Sequence, residues 1–105
     1  MAKGYIIGLI KFTDKEKFIG TFAKQIGPFL QRNGGNILTR TSMVHGHEGN
    51  AHDLNVIVEF EDYEQAKAMM GTSEWNELQA HRRTHSDFEA GSFMLLEEGD
   101  VFGSQ

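Results

Sequence analysis

The sequence of 105 residues contains no cysteine and only one proline. The lack of cysteine excludes disulfide bonds, thiolate catalysis and zinc sites built from thiolates. No apolar run approaches the length of a membrane-spanning helix, and the N-terminus lacks the apolar stretch of a signal peptide. We therefore expect a protein of the cytoplasm that does not bind membranes.

Positive charge is also scarce. Ten Lys and Arg residues face fifteen Asp and Glu residues, which gives a formal net charge of −5. Because nucleic-acid binding usually needs a basic surface, we expect no nucleic-acid partner. Charged residues make up 24% and hydrophobic residues 39% of the chain, a balance typical of a folded protein. The length predicts a single domain over residues 1–98, followed by a weakly patterned tail over residues 99–105.

Hydrophobic periodicity predicts the order strand, helix, strand, strand, helix pair, strand. The predicted strands are residues 4–12, 36–45, 54–60 and 92–97. The first helix is expected to begin after Asp14 or Thr13 and to kink or break at Pro28, which lacks an N–H. This order indicates an α+β protein with the ferredoxin-like βαββαβ fold, in which helices cover one face of an antiparallel sheet.

Strand one carries apolar side chains on both faces. Tyr5, Ile7 and Leu9 point one way, whereas Ile6 and Ile10 point the other way. In so short a chain, helices can cover one face of the sheet, and the other face would be left as an exposed apolar patch. We therefore expect a second copy of the chain to cover it in a two-fold homodimer, which is the commonest closed assembly.

Several segments together resemble one known family, named domain of unknown function 1330, within the dimeric α/β-barrel superfamily. These segments are Asn33–Arg40, Val56–Phe60 with Glu64 and Ala66, Ser73–Trp75, and Arg82. The resemblance extends over nearly the whole chain, from Gly4 to Gly99, and implies a ferredoxin-like protomer whose sheet packs on a partner's sheet. It implies no established activity, because the superfamily includes cofactor-free monooxygenases, haem enzymes and catabolic proteins.

Arg40, Glu59, Trp75 and Arg82 are candidate ligand-binding residues. Arg40 and Glu59 fall roughly opposite each other if the hairpin between strands two and three turns near residue 49. A buried Arg40 would bind a carboxylate or enolate in bidentate fashion, whereas the alternative is an ion pair between neighbouring strands. Arg82 continues the helical face of Trp75 and Leu78, so its guanidinium either reaches a pocket or extends along the helix into water.

His45 and Arg40 are the candidate catalytic residues, since a neutral histidine is a ready general base. His81 and His85 are four residues apart, a spacing that can hold a metal ion on a helix. However, the two arginines between them would repel a cation, and no third ligand is evident. We therefore predict no metal site and no cofactor, and interpret these histidines as surface residues.

The preferred interpretation of function is a small homodimeric protein that binds a small apolar and anionic metabolite in a pocket between helices and sheet. Chemical transformation of that metabolite is left open. Two alternatives stay open as well: a non-catalytic domain that serves only oligomerisation or assembly, and an enzyme like the cofactor-free monooxygenases. A closed apolar cavity that contains Arg40 or Arg82 would favour ligand binding, and a small open polar cavity would favour assembly.

Overall fold

Four strands form one antiparallel sheet in the computed structural model, which describes residues 2–103. The strands are β1 (Gly4–Ile10), β2 (Gly35–Thr41), β3 (Leu54–Phe60) and β4 (Ser92–Glu97), in the order β2-β3-β1-β4. The helices are α1 (Lys15–Phe18), α2 (Lys24–Arg32), α3 (Tyr63–Met69) and α4 (Ser73–Thr84), and a π-helical segment, Ile19–Ala23, joins α1 to α2. The predicted α+β class and the βαββαβ order are confirmed. Within the described range, no helix is long and apolar enough to cross a membrane.

Side-chain caps begin helix α1 at the predicted Asp14 and helix α4 at Thr72. The carboxylate of Asp14 accepts a hydrogen bond from the backbone N–H of Lys17 at 3.1 Å, and the Thr72 hydroxyl accepts one from that of Trp75 at 3.2 Å. Gly34 adopts a positive φ of 87° in the turn from α2 into β2, a conformation that glycine reaches without a Cβ penalty. These local signals set the ends of the elements that surround the core.

Two strands are shorter than predicted. β1 ends at Ile10 rather than at residue 12, and β2 ends at Thr41 rather than at residue 45. β2 stops there because Thr41 pairs with Asn55, and only Leu54, the first residue of β3, remains beyond that pair, which is too little to continue the ladder to residue 45. The domain boundary predicted after residue 98 stays a prediction, and part of the tail, residues 104–105, lies outside the described residues.

The first helix is irregular, but not where proline predicts a break. α2 continues through Pro28 from Lys24 to Arg32. The irregularity lies one turn earlier, in the π-helical segment, where the N–H of Lys24 donates to the carbonyl of Ile19, five residues back. The expected break at Pro28 is therefore wrong, a kink there stays a prediction, and the departure from α-helical geometry lies in the π-helical segment instead.

The hydrophobic core lies between the helices and one face of the sheet, which we call the inner face. Ile6 and Ile10 from β1 and Val58 and Phe60 from β3 point to this face and are nearly inaccessible to solvent. The helical layer contributes Phe18, Phe22, Ile26, Phe29, Leu30, Ala66, Met69, Trp75 and Leu78. Alternation along β1 confirms the predicted division of its side chains between two faces.

The opposite face of the sheet, which we call the outer face, also carries apolar side chains. Ile7 at the centre of β1 pairs with Ile57 on one side and with Met94 on the other. Ile57 is 36% exposed and Met94 is 40% exposed, and Leu96 beside them is 45% exposed. The outer face is therefore the apolar surface for which the sequence predicts a second copy of the chain.

Candidate functional site

A small apolar cavity, partly open to the surface, lies between the helices and the inner face of the sheet. Its volume is about 40 Å³, enough for one or two water molecules. The cavity is lined by residues from all four strands, from α1, the π-helical segment and α2, and from α4. Among the described residues that line it, Arg40 has the only charged side chain. A larger groove of about 730 Å³ between α2 and α4 is open to solvent and has a mixed polar lining. The apolar cavity is the better candidate, since ligand sites are concave and mostly apolar with a few placed polar groups.

A β-bulge in β2 turns Arg40 toward this cavity. Ile37 and Thr39 pair with consecutive residues of β3, which leaves Leu38 as the extra residue. Side chains alternate between the faces of a strand, so one extra residue reverses the alternation beyond it. Without the bulge, Arg40 and Ile37 would point to opposite faces of the sheet. With it, both face the helices and both line the cavity.

The guanidinium of Arg40 lies where the cavity meets the surface beside α2. Its Nη1 atom is 3.5 Å from the carbonyl oxygen of Ala23, long for a hydrogen bond, and 3.5 Å from the position that a Cβ would take at Gly27. In the part of the chain described, no carboxylate oxygen lies within 4.0 Å of it. The expected buried Arg40 is therefore wrong: Arg40 is an exposed cation at the cavity's edge, and among residues 2–103 no acid is bound to it.

Glu59 does not lie opposite Arg40, and it does not line the cavity. The β2–β3 register pairs Glu59 with Asn36 and Arg40 with Val56, because the bulge and the true position of the turn shift the two strands. The predicted pairing of Arg40 with Glu59 is therefore wrong. Glu59 lies on the outer face, where its carboxylate is 3.6 Å from Nζ of Lys3 and is the main cause that raises the pKa of Lys3 above its ordinary value.

Trp75 and Arg82 both lie on the buried face of α4, as their spacing predicts. Trp75 lines the cavity, and its ring centroid is 5.7 Å from that of Phe93, another lining residue. Arg82 is only 7% exposed, and its Cζ atom lies 4.7 Å from the centroid of the Phe93 ring. The Nε atom of Arg82 donates a hydrogen bond to Oε1 of Gln79 at 2.5 Å. Burial, followed by the neighbouring Arg83, lowers the pKa of Arg82 from its ordinary value.

Sequence reasoning misses Gln79, which is 2% exposed and packs beside Arg82. Among residues 2–103, its Nε2 atom has no hydrogen-bond partner. Gln79 follows Trp75 by four positions and precedes Arg82 by three, so helical spacing places all three on one stripe. This helical spacing could have indicated that Gln79 is buried, although glutamine as a residue type gives no such indication.

The structure does not bring the candidate histidines to the cavity. His45 is exposed beyond the end of β2, and His81 lines the open groove between α2 and α4. In the described range, no group of three or more His, Asp or Glu side chains is arranged to hold a metal ion. Absence of metal stays a prediction, and elemental analysis of protein purified without a His tag checks it. One zinc or iron per chain that disappears in His81→Ala would contradict it.

Comparison with known proteins gives a family and a fold. A family model described as "Domain of unknown function (DUF1330)" matches residues 3–97, and no curated protein matches the sequence. A protein of unknown function from Rhodopseudomonas palustris has a solved structure with a TM-score of 0.71 to this one, at 16% identity over 94% of this chain and 84% of that chain. At such identity the likeness shows the fold alone.

Two further solved structures share this fold. SnoaB from Streptomyces nogalater, described as a cofactor-independent oxygenase, has a TM-score of 0.65 at 11% identity, over 99% of this chain and 100% of that chain. A protein from Bacteroides fragilis is described as dimeric, of unknown function and with a ferredoxin-like fold. It has a TM-score of 0.58 at 16% identity, over 91% of this chain and 96% of that chain. The predicted ferredoxin-like fold is thereby confirmed.

Proposed function

The chain belongs to the DUF1330 family, and we propose that it forms a homodimer that binds a small apolar and anionic metabolite in the cavity between helices and sheet. The observation that carries this proposal is the β-bulge at Leu38, which places the Arg40 guanidinium at the edge of an apolar cavity. Bulges often occur next to functional sites, where they redirect a side chain. Because no acid of the described residues pairs with this guanidinium, it is suited to a carboxylate, which an arginine binds in bidentate fashion.

Backbone features around the cavity support the same function. Gly8 lies in the interior of β1, where glycine weakens a strand and often marks a close approach to the backbone. A Cβ at Gly8 would lie 3.5 Å from Cδ2 of Phe93 and 3.8 Å from Cβ of Val56, so the missing side chain leaves space on the cavity floor. Phe22 and Ala23, which belong to the π-helical segment, line the helical side, and such segments are frequent at functional sites.

Binding is favoured over the two alternatives. The apolar lining of the cavity, with Arg40 at its edge, argues against a domain that serves only assembly. The likeness to a cofactor-independent oxygenase supports a monooxygenase-like activity as the second candidate. However, among the described residues no His, Asp, Glu or Lys lines the cavity, so no side chain there is a ready general base.

The proposed homodimer rests on the outer face and is supported by the dimeric neighbour from Bacteroides fragilis.

Arg40→Met is expected to weaken the binding of fatty monocarboxylates such as octanoate by about 10- to 100-fold, because a charge-assisted hydrogen bond contributes about 1.5–3 kcal/mol. The affinity for octanamide, which has the same chain without the charge, should hardly change. Isothermal titration calorimetry measures the affinity of each protein for the monocarboxylates from hexanoate to dodecanoate and for the corresponding amides. Arg83→Met is the matched control, since Arg83 is exposed on α4 and faces away from the cavity.

Gly8→Ala places a methyl group on the cavity floor and should weaken the acid and the amide alike, by about tenfold or more. Gly20→Ala is its control, because nothing lies within 4 Å of a Cβ at Gly20. Octanoate binding that is equal in wild type, Arg40→Met and Gly8→Ala would contradict the proposed site.

A further inference from the structure

Gln79 and Arg82 form a second group of buried hydrogen-bond donors, and among residues 2–103 no acid is bound to them. Both side chains are more than nine-tenths buried. In the described part of the chain, no carboxylate oxygen lies within 4.0 Å of the Arg82 guanidinium, whose charge is stabilised by the face of the Phe93 ring. A buried cation without a counterion is costly for folding, so its presence calls for a reason other than stability.

The hydrogen bond between the two residues fixes which way the Gln79 amide points. An arginine Nε can only donate, so the amide atom that faces it must be the oxygen. The hydrogen bond to Arg82 therefore uses the amide oxygen of Gln79 and leaves its NH₂ group unused. The nitrogen of that group, Nε2, is buried and has no hydrogen-bond partner among residues 2–103. An amide NH₂ beside a guanidinium presents donors only, an arrangement that suits an oxyanion.

Phe93 connects this pair to the cavity. Its ring lies against Arg82, with 4.7 Å from the ring centroid to Cζ, and it also lines the cavity. Phe93 belongs to β4 and Arg40 to β2, which are the two edge strands of the sheet. Arg40 pairs with Val56, Val56 with Gly8 and Gly8 with Phe93, so three strand spacings of about 4.8 Å place the Cα atoms of Arg40 and Phe93 roughly 14 Å apart.

We propose that Gln79 and Arg82 form a second anion subsite, so that the ligand of the cavity is an elongated apolar molecule with an anionic oxygen at each end. The inference rests on the proposed function, in which Arg40 binds the first anionic group. The cavity, at about 40 Å³, is too small for such a molecule as it stands, so side chains that line it, Phe93 among them, must move when a ligand binds.

Dicarboxylates with an unbranched chain test this inference against the matching monocarboxylates. Calorimetry with hexanedioate to dodecanedioate should find a chain length at which the diacid binds at least tenfold more tightly than the monoacid of equal length. In an NMR spectrum, the side-chain NH₂ signals of Gln79 should shift on addition of that diacid and not of the monoacid.

Gln79→Glu is the decisive variant, because it keeps the shape of the side chain and its hydrogen bond to Arg82 while supplying the missing negative charge. The variant should lose the tenfold preference for the diacid, keep its affinity for the monoacid, and melt no lower than wild type. Asn76→Asp is the matched control, since it makes the same change of amide to acid on the exposed face of α4 and should leave the preference intact.

The outcomes separate this inference from the proposed function. A monoacid that binds without any diacid preference, or a diacid preference that survives in Gln79→Glu, would overturn the second subsite and leave the Arg40 site standing. If no acid of either series binds, both proposals fall. A preference for the diacid that disappears in Gln79→Glu and persists in Asn76→Asp supports both.

Discussion

Ile7→Asp is expected to convert the proposed homodimer into monomers. Ile7 lies at the centre of the outer face between Ile57 and Met94, so a partner's sheet would bury it. An uncompensated charge buried there costs about 3–5 kcal/mol, which weakens association by a factor of about 100 or more. Sedimentation at micromolar concentration should report twice the chain mass for wild type and the single chain mass for the variant.

Ala68→Asp is the control for this change, because Ala68 is exposed on α3, in the helical layer on the other side of the sheet. It should sediment as wild type does. A wild-type protein that is monomeric at these concentrations, or an Ile7→Asp variant that keeps the double mass, would contradict dimerisation through the outer face.

Phe18→Ala is expected to cost about 3–5 kcal/mol of unfolding free energy, as is typical when a buried phenylalanine is truncated. Phe18 is fully buried, and its ring centroid lies 5.0 Å from that of Phe12 and 5.2 Å from that of Phe22. Such a loss is a large part of the roughly 5–15 kcal/mol that stabilises a typical domain. Urea denaturation followed by circular dichroism measures it.

The same substitution at an exposed site gives the comparison. Phe88 is 53% exposed, so Phe88→Ala should change the unfolding free energy by only about 0.5 kcal/mol. Comparable losses for Phe18→Ala and Phe88→Ala would mean that the core between α1 and the sheet is not packed as described.

Most of the fold follows from patterns that a single sequence displays. Alternation along β1 divides its side chains between two faces, and Asp14 and Thr72 each provide a capping oxygen at the start of a helix. These signals are local, so they can be recognised without knowing which elements pack against each other in the fold. The ends of strands are not local: β2 stops at Thr41 because of where β3 begins.

The candidate site depends on features that leave little trace in the sequence. Strict alternation puts Arg40 on the face opposite Ile37, and only the extra residue Leu38 reverses this. Nothing in a run such as Leu-Thr-Arg-Thr marks a bulge, so the direction of Arg40 and the placement of Glu59 could not be read in advance. Gln79 is different, because its place on the stripe of Trp75 was visible in the helical spacing.

A crystal structure of the protein grown with octanoate tests most directly whether the inner cavity binds an anionic ligand through Arg40. We expect an acyl chain between the helices and the inner face, with its carboxylate about 2.7–2.9 Å from the guanidinium nitrogens of Arg40. Octanoate found only on the outer face or in the open groove between α2 and α4, with the inner cavity empty, would contradict it.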